Sequence, residues 1–157
     1  MIAVPGDEDG AQIHAISTNT SVFSKEEVET VDELWDEYQA RGSERSGYYW
    51  LVDKEEDGRI LGYACYGPRA LTDRTYDLYW IAVDPNLRRG GVGRRLLAAT
   101  EEAIRKLGGR LIVLETSGKP TYVPTRNFYL ATGYTLEATL KDFYTDGDDL
   151  VIFTKYL

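Results

Sequence analysis

Residues 76–97 read YDLYWIAVDPNLRRGGVGRRLL, and both the fold and the ligand class turn on this stretch. Leu78 to Val83 is apolar and rich in aromatic and β-branched residues, the composition of a strand. Asp84-Pro85-Asn86 ends it, because proline cannot donate to a ladder and Asp and Asn favour turns. Arg88-Arg89-Gly90-Gly91-Val92-Gly93 follows, then a helix-competent run from Arg94 towards Leu107. Strand, glycine-rich turn and helix start, in that order, make an anion site. The first amides of a helix lack intrahelical acceptors, and the helix dipole favours negative charge there. Glycines let a phosphate approach the backbone with no Cβ in the way. Arg88, Arg89, Arg94 and Arg95 place cations around the same point. The stretch predicts a phosphate-bearing ligand. The plainer alternative is a tight turn followed by a solvated helix face.

Glycine spacing narrows the ligand. Gly-x-Gly-x-x-Gly would suggest a dinucleotide and Gly-x-x-x-x-Gly-Lys-Ser/Thr a nucleotide triphosphate, and neither is present. What stands here is Arg88-x-x-Gly91-x-Gly93 after Ile81-Ala82-Val83-Asp84-Pro85. This resembles the acetyl-CoA motif of the GNAT superfamily of N-acetyltransferases, Gln/Arg-x-x-Gly-x-Gly/Ala. A second stretch, Arg126-Asn127-Phe128-Tyr129-Leu130-Ala131-Thr132-Gly133-Tyr134, is similar to the late helix of that family, where a Phe/Leu-Tyr pair precedes Gly-Phe or Gly-Tyr. The two in this order imply an α/β (α+β) chain with the GNAT acyl-CoA N-acyltransferase fold, a mixed twisted sheet flanked by about four helices. They also imply one N-acetyltransferase domain over residues 1–157, acetyl-CoA as co-substrate, and an amine acceptor on a small molecule or a protein. A homodimer is left open.

The resemblance assigns roles residue by residue. Ile81, Ala82 and Val83 would present backbone groups to the pantetheine arm. The amides of Arg89, Gly90, Gly91, Val92, Gly93 and Arg94 would hold the pyrophosphate, with Arg88, Arg94 or Arg95 reaching phosphate oxygens. A backbone amide near Val83 would meet the charge developing on the acyl oxygen. Tyr129 matches the tyrosine acid position, and a phenol with a pKa of about 10 stays protonated at neutral pH. Its plainer reading is a packed helix tyrosine. Two residues compete as base. Asp77 falls six residues before Val83, where histone-acetylating members place a glutamate. Glu115 ends the apolar run Leu111-Ile112-Val113-Leu114, and either has a pKa raised by desolvation or marks the exit of the strand to water. A water chain with no single base is the third option, and Tyr76 and Tyr79 are weaker candidates. Where the family often has Asn-x-x-Ala before the tyrosine helix, this chain has Tyr122 and Thr125, so Thr125 is the cofactor contact expected there. Cys65 has no histidine near it in sequence, which favours direct attack by the amine over a covalent intermediate.

Composition bounds the rest. At 157 residues and 17.8 kDa the chain is large enough for one core. Its apolar runs are a few residues long, which predicts no membrane span. The N-terminus lacks a basic region and an apolar segment, so a cytoplasmic protein is expected. One cysteine excludes an internal disulfide and a multi-cysteine metal site, and no metal is expected. Net charge is −8, and residues 1–60 hold fifteen acids against five bases while the remainder holds eleven against thirteen. That argues against nucleic acid, which asks for a basic footprint, and favours a cationic acceptor; the same acidity also serves solubility.

In chain order, Asp7 to Asp9 cap a first helix reaching about Thr18, with Ile13 and Ile16 apolar. Ser24 and Glu27 form a capping box for a second helix running to about Ala40, stopped near Gly42, with Val28, Val31, Leu34, Trp35 and Tyr38 at helical spacing. Tyr48–Asp53 and Arg59–Tyr66 pair around Asp57-Gly58, and Gly67-Pro68 is expected to break the second strand. After the glycine-loop helix, Arg110–Thr116, a helix carrying Tyr129, Tyr134–Asp142 and Leu150–Leu157 complete the pattern. Any first strand is confined to Ile2–Val4. The expected activity is acetyl transfer to an amine. The alternatives are a non-catalytic acyl-CoA-binding sensor and an unrelated phosphate-binding protein.

Overall fold

The structure is a computed structural model and describes residues 1–87 and 90–157. Seven strands make a sheet in the order β1-β2-β3-β4-β5-β7-β6. Strand β1 (Ile2–Ala3) is short but real, pairing antiparallel with β2 (Tyr49–Lys54). Between them lie α1 (Gly10–Asn19), entered through a 3-10 turn at Asp7–Asp9, and α2 (Lys25–Ser46). The Ser24–Glu27 box caps α2 reciprocally, at 3.1 and 3.2 Å. Gly42, at φ 76, interrupts α2 as its residue type suggests, yet one more helical turn follows before the left-handed Gly47 ends it.

Strand β3 (Ile60–Pro68) runs through the expected break, because Gly67 and Pro68 stay in register with Asp77 and Tyr76 of β4 (Thr75–Val83). Proline at the last position of a strand removes no interior ladder bond. The β4 strand starts three residues earlier than the composition suggested, and α3 (Val92–Lys106) starts at Val92 rather than Arg94. A parallel strand needs a crossover, and α3 supplies it, returning the chain to β5 (Leu111–Ser117) beside β4. A 3-10 turn at Pro120–Tyr122, α4 (Val123–Ala131), β6 (Thr135–Thr145) and β7 (Asp148–Tyr156) finish the chain.

Two clusters cover the two faces. Leu96, Leu97 and Ile104 of α3 pack on Leu78, Ile112, Leu114 and Phe153 with Tyr129 and Tyr134. Ile13, Ile16, Val31 and Trp35 of α1 and α2 pack on Trp50, Val52, Tyr63 and Cys65. Each fully buried Leu or Ile contributes roughly 1.5–3 kcal/mol.

One departure from regularity positions the site. Strands β4 and β5 pair only at Thr75–Leu111, Tyr76–Ile112 and Asp77–Val113, then separate. Pairing of β3 with β4 shifts so that Tyr66 faces Leu78 and Cys65 faces Trp80, leaving Tyr79 as an extra residue. Such a bulge bends the strand that carries it. Meanwhile β5 stays paired with β7 along its whole length. The edge of β4 from Leu78 to Val83 that would face β5 therefore has no strand partner, and a cleft opens there.

Candidate functional site

The free edge of β4 leads directly into the glycine turn. Gly91 is the N-cap of α3 at φ 73, a left-handed conformation that glycine takes without strain. Gly91 has no side chain to cap this helix, so among the described residues the amides of its first turn have no side-chain acceptor. At Gly93, an added Cβ would stand 3.5 Å from the Phe128 ring and 3.7 Å from Val83, so α3, α4 and β4 converge at that residue. Ile81 and Val83 pack toward the α3 cluster, whereas Ala82 is buried in the other. Arg94 is exposed on the first turn.

Arg95 behaves differently from expectation. Its Nε and Nη2 lie 2.9 and 2.8 Å from Asp53 Oδ2, and its Nη1 donates to the Gly90 carbonyl at 2.9 Å. It fastens the glycine turn to β2 and is not free for phosphate. Asp53 is 1% exposed. Burial pushes its carboxyl up, but bonds from the Met1 ammonium and Arg95 outweigh that and hold it below the usual value. Arg88 and Arg89 lie outside the described residues.

Tyr129 stands on α4 against the rings of Phe128, Tyr134 and Phe153, with centroids 5.5–5.7 Å apart. It is 5% exposed, and burial alone raises its phenol well above the ordinary value. A buried phenol stays a proton donor. Thr125, half-buried, lies one helical turn earlier on the same face.

On the α1 and α2 side the sequence candidates for a base come together through a residue not foreseen. Arg69, just past β3, donates from Nη1 to Asp77 Oδ1 at 2.8 Å and stands 3.9 Å from Glu115 Oε1. Burial raises the Asp77 carboxyl, Arg69 partly offsets that, and Glu115 adds to the rise. The Glu115 side chain is 43% exposed, although β5 continues past it through the buried Thr116 and Ser117. Tyr79, at the bulge, meets Tyr48 edge-on, and burial with the nearby Asp77 pushes its phenol up to about 12. Tyr76 turns to the opposite face, against the α3 cluster.

Across this side, the Tyr122 hydroxyl donates to the Val22 carbonyl at 2.9 Å and lies 3.4 Å from Glu27 Oε2. It ties the start of α4 to the α1–α2 connection. Between Leu140 and Thr145, four residues of β6 stand against one of β7, and Asp142 takes φ 53. That excursion carries Tyr144, whose phenol is raised by burial and then by Glu115, Asp148 and Glu27. Asp148 accepts from Ser117 Oγ and stands 3.6 Å from Lys119 Nζ, while Arg126 Nη1 donates to the Ser117 and Lys119 carbonyls. Carboxylates thus outnumber cations on this side. Arg69 and Tyr122 carry no local sequence signal, because their partners lie 8 to 100 residues away.

Among the described residues no group of three or more His, Cys, Asp or Glu is placed to hold a metal, and no helix is long and apolar enough to cross a membrane.

Known proteins match this arrangement. The model of the Acetyltransferase (GNAT) family matches residues 13–134. A crystal structure from Desulfovibrio desulfuricans assigned to the GNAT family is 41% identical, with 99% of each chain covered and a TM-score of 0.93. The ribosomal-protein-alanine N-acetyltransferase of Brucella melitensis shares the fold at 24% identity, covering 100% of this chain and 99% of that one, with a TM-score of 0.78. A Salmonella typhimurium protein whose structure includes its cofactor acetyl-CoA does so at 21% identity, 100% and 93% coverage, and a TM-score of 0.76. No curated protein matches the sequence.

Proposed function

The chain belongs to the GNAT acetyltransferase family, and on that premise we propose that it is an N-acetyltransferase, its residues 1–157 forming one transferase domain that moves an acetyl group from acetyl-CoA to the amine of a cationic acceptor. The observation that carries the reading is the unpaired edge of β4 running into the uncapped N-terminus of α3, with the buried hydroxyl-bearing Tyr129 on the same face. The residues fit the co-substrate. Backbone groups of Ile81 to Val83 offer strand-like hydrogen bonds to a pantetheine arm, and the amides of Gly91 to Arg94 together with Arg94 offer a pyrophosphate cradle. The family resemblance assigns Arg88, Arg89 and Gly90 to the same cradle and Thr125 on α4 to the arm. When bound, acetyl-CoA supplies the acetyl group as an activated thioester.

Tyr129 holds the proton that a departing sulfur requires, and burial keeps it there at neutral pH. Asp77 or Glu115, bridged by Arg69, takes the proton an ammonium must lose before it attacks, directly or through water. Their carboxylates, with Glu27 and Asp148 nearby, favour a positively charged acceptor. The thiol of Cys65 is buried in the opposite core and its pKa is pushed well up, which supports direct attack over a cysteine intermediate.

The test is thiol release from acetyl-CoA across a panel of amines, with Tyr129→Phe alongside. Turnover with one acceptor class, falling roughly 10²-fold in kcat for the variant while coenzyme A affinity holds, is the expected result. Coenzyme A binding with no turnover on any amine would instead mark a sensor module.

A further inference from the structure

Thr116 is 7% exposed, and its Oγ1 has no hydrogen-bond partner among the described residues. Its position is informative. Alternation along β5 puts Ile112, Leu114 and Thr116 on one face, and the first two pack with α3 and Tyr129. Thr116 lies opposite Val151, a member of the same cluster, and three residues beyond the last β4–β5 pair at Val113. The hydroxyl therefore lies where the two strands have parted, on the face that carries Tyr129 and Thr125.

An unmade hydrogen bond at a buried hydroxyl costs about 1–3 kcal/mol. Valine has nearly the shape of threonine, suits a strand at least as well, and would leave nothing unpaired. In the unliganded protein the hydroxyl thus gives no stability that valine would not. A polar atom of a ligand entering the cleft from the Tyr129 side would complete its hydrogen bonding. A phosphate does not fit: the parallel register puts Thr116 level with Trp80, three residues short of the Val83 end of β4 beyond which α3 begins. The amides of a pantetheine arm do fit, since a threonine hydroxyl both donates and accepts.

We propose that Thr116 is a cofactor-positioning residue whose hydroxyl hydrogen-bonds an amide of the pantetheine arm. The inference rests on the acetyl-CoA reading above and adds a side-chain contact from β5 to the backbone contacts of β4. The arm is then held from both walls of the cleft.

Calorimetric titration of the full chain with coenzyme A and with adenosine 3′,5′-bisphosphate, which lacks the arm, tests it. Thr116→Val should weaken coenzyme A roughly fivefold or more, the size of one lost neutral hydrogen bond, and leave the bisphosphate unchanged. Thr116→Ser should stay within about twofold of wild type, since the hydroxyl remains. The unliganded valine variant should melt no lower than wild type; Thr116→Ala repeats the binding test if it does. Equal coenzyme A affinity in wild type and valine variant overturns the proposal, and so does equal loss of both ligands. Failure of the wild type to bind coenzyme A would overturn the acetyl-CoA reading itself, and this inference with it.

Discussion

The two sides of the β4–β5 cleft are made by opposite means. The side under α3 and α4 is assembled from segments that announce themselves locally: a glycine turn, an uncapped helix start, and a tyrosine one helical turn after Thr125. It is apolar and buried, and the Asp53–Arg95 pair holds the turn in place. The side under α1 and α2 is polar, partly exposed and stitched from remote pieces, with Tyr122 reaching Val22 and Arg69 joining Asp77 to Glu115. On the proposed reading the co-substrate meets geometry set by local sequence, and the acceptor meets a surface that distant contacts define.

The sharpest way to break that contrast is to ask whether the polar side does chemistry. Whichever of Asp77 and Glu115 serves as base, its replacement (Asp77→Asn or Glu115→Gln) should lower kcat roughly 10²-fold, read by steady-state thiol release. The pH profile separates them. Folding raises the Asp77 pKa, and a base must be ionised, so activity through Asp77 falls as pH drops through a value above the ordinary carboxylate pKa of about 4. The acidic limb of kcat/KM disappears in Asp77→Asn if that residue is the base and survives if it is not. Because the raised pKa means that ionised Asp77 costs the fold stability above it, the neutral variant tests activity rather than folding.

On the buried side, Asp53→Asn should cost about 2 kcal/mol at neutral pH by chemical denaturation, less than a fully buried pair because Arg95 is half-exposed. Folding lowers the Asp53 pKa, so its contribution is present above the unfolded value of about 4 and lost as pH falls through the folded one. The gap between wild type and Asp53→Asn should therefore narrow below pH about 4. The smallest effect belongs to Tyr122→Phe, which removes the tie to Val22 and Glu27. We expect KM for the acceptor to rise roughly threefold, in line with a half-exposed hydrogen bond, with coenzyme A affinity unchanged. A change in coenzyme A affinity instead would show that the two sides are not independent.

Much of the architecture was legible because it is written at short range. The Ser24–Glu27 box, the Asp57-Gly58 hairpin and the glycine-loop helix depend on residues within a few positions of one another. Errors fell where tertiary pairing outweighs local preference. Gly67 and Pro68 stay in β3 because β4 lies alongside, and the helix start moved to Val92 because Gly91 supplies the left-handed cap. Arg95 looked like a phosphate ligand because its carboxylate partner stands 42 residues away.

From the sequence alone came the strand–turn–helix order, the anion-binding loop, Tyr129 as the proton donor to test, and the family these imply. Periodicity and turn chemistry are local, and one chain displays them in full. Only the tertiary structure decided where β4 leaves β5, that Arg69 joins the two carboxylates, and that the Thr116 hydroxyl is buried without a partner. Those depend on which strands end up adjacent and how far they stay paired, and a bulge of one residue at Tyr79 is enough to set the difference.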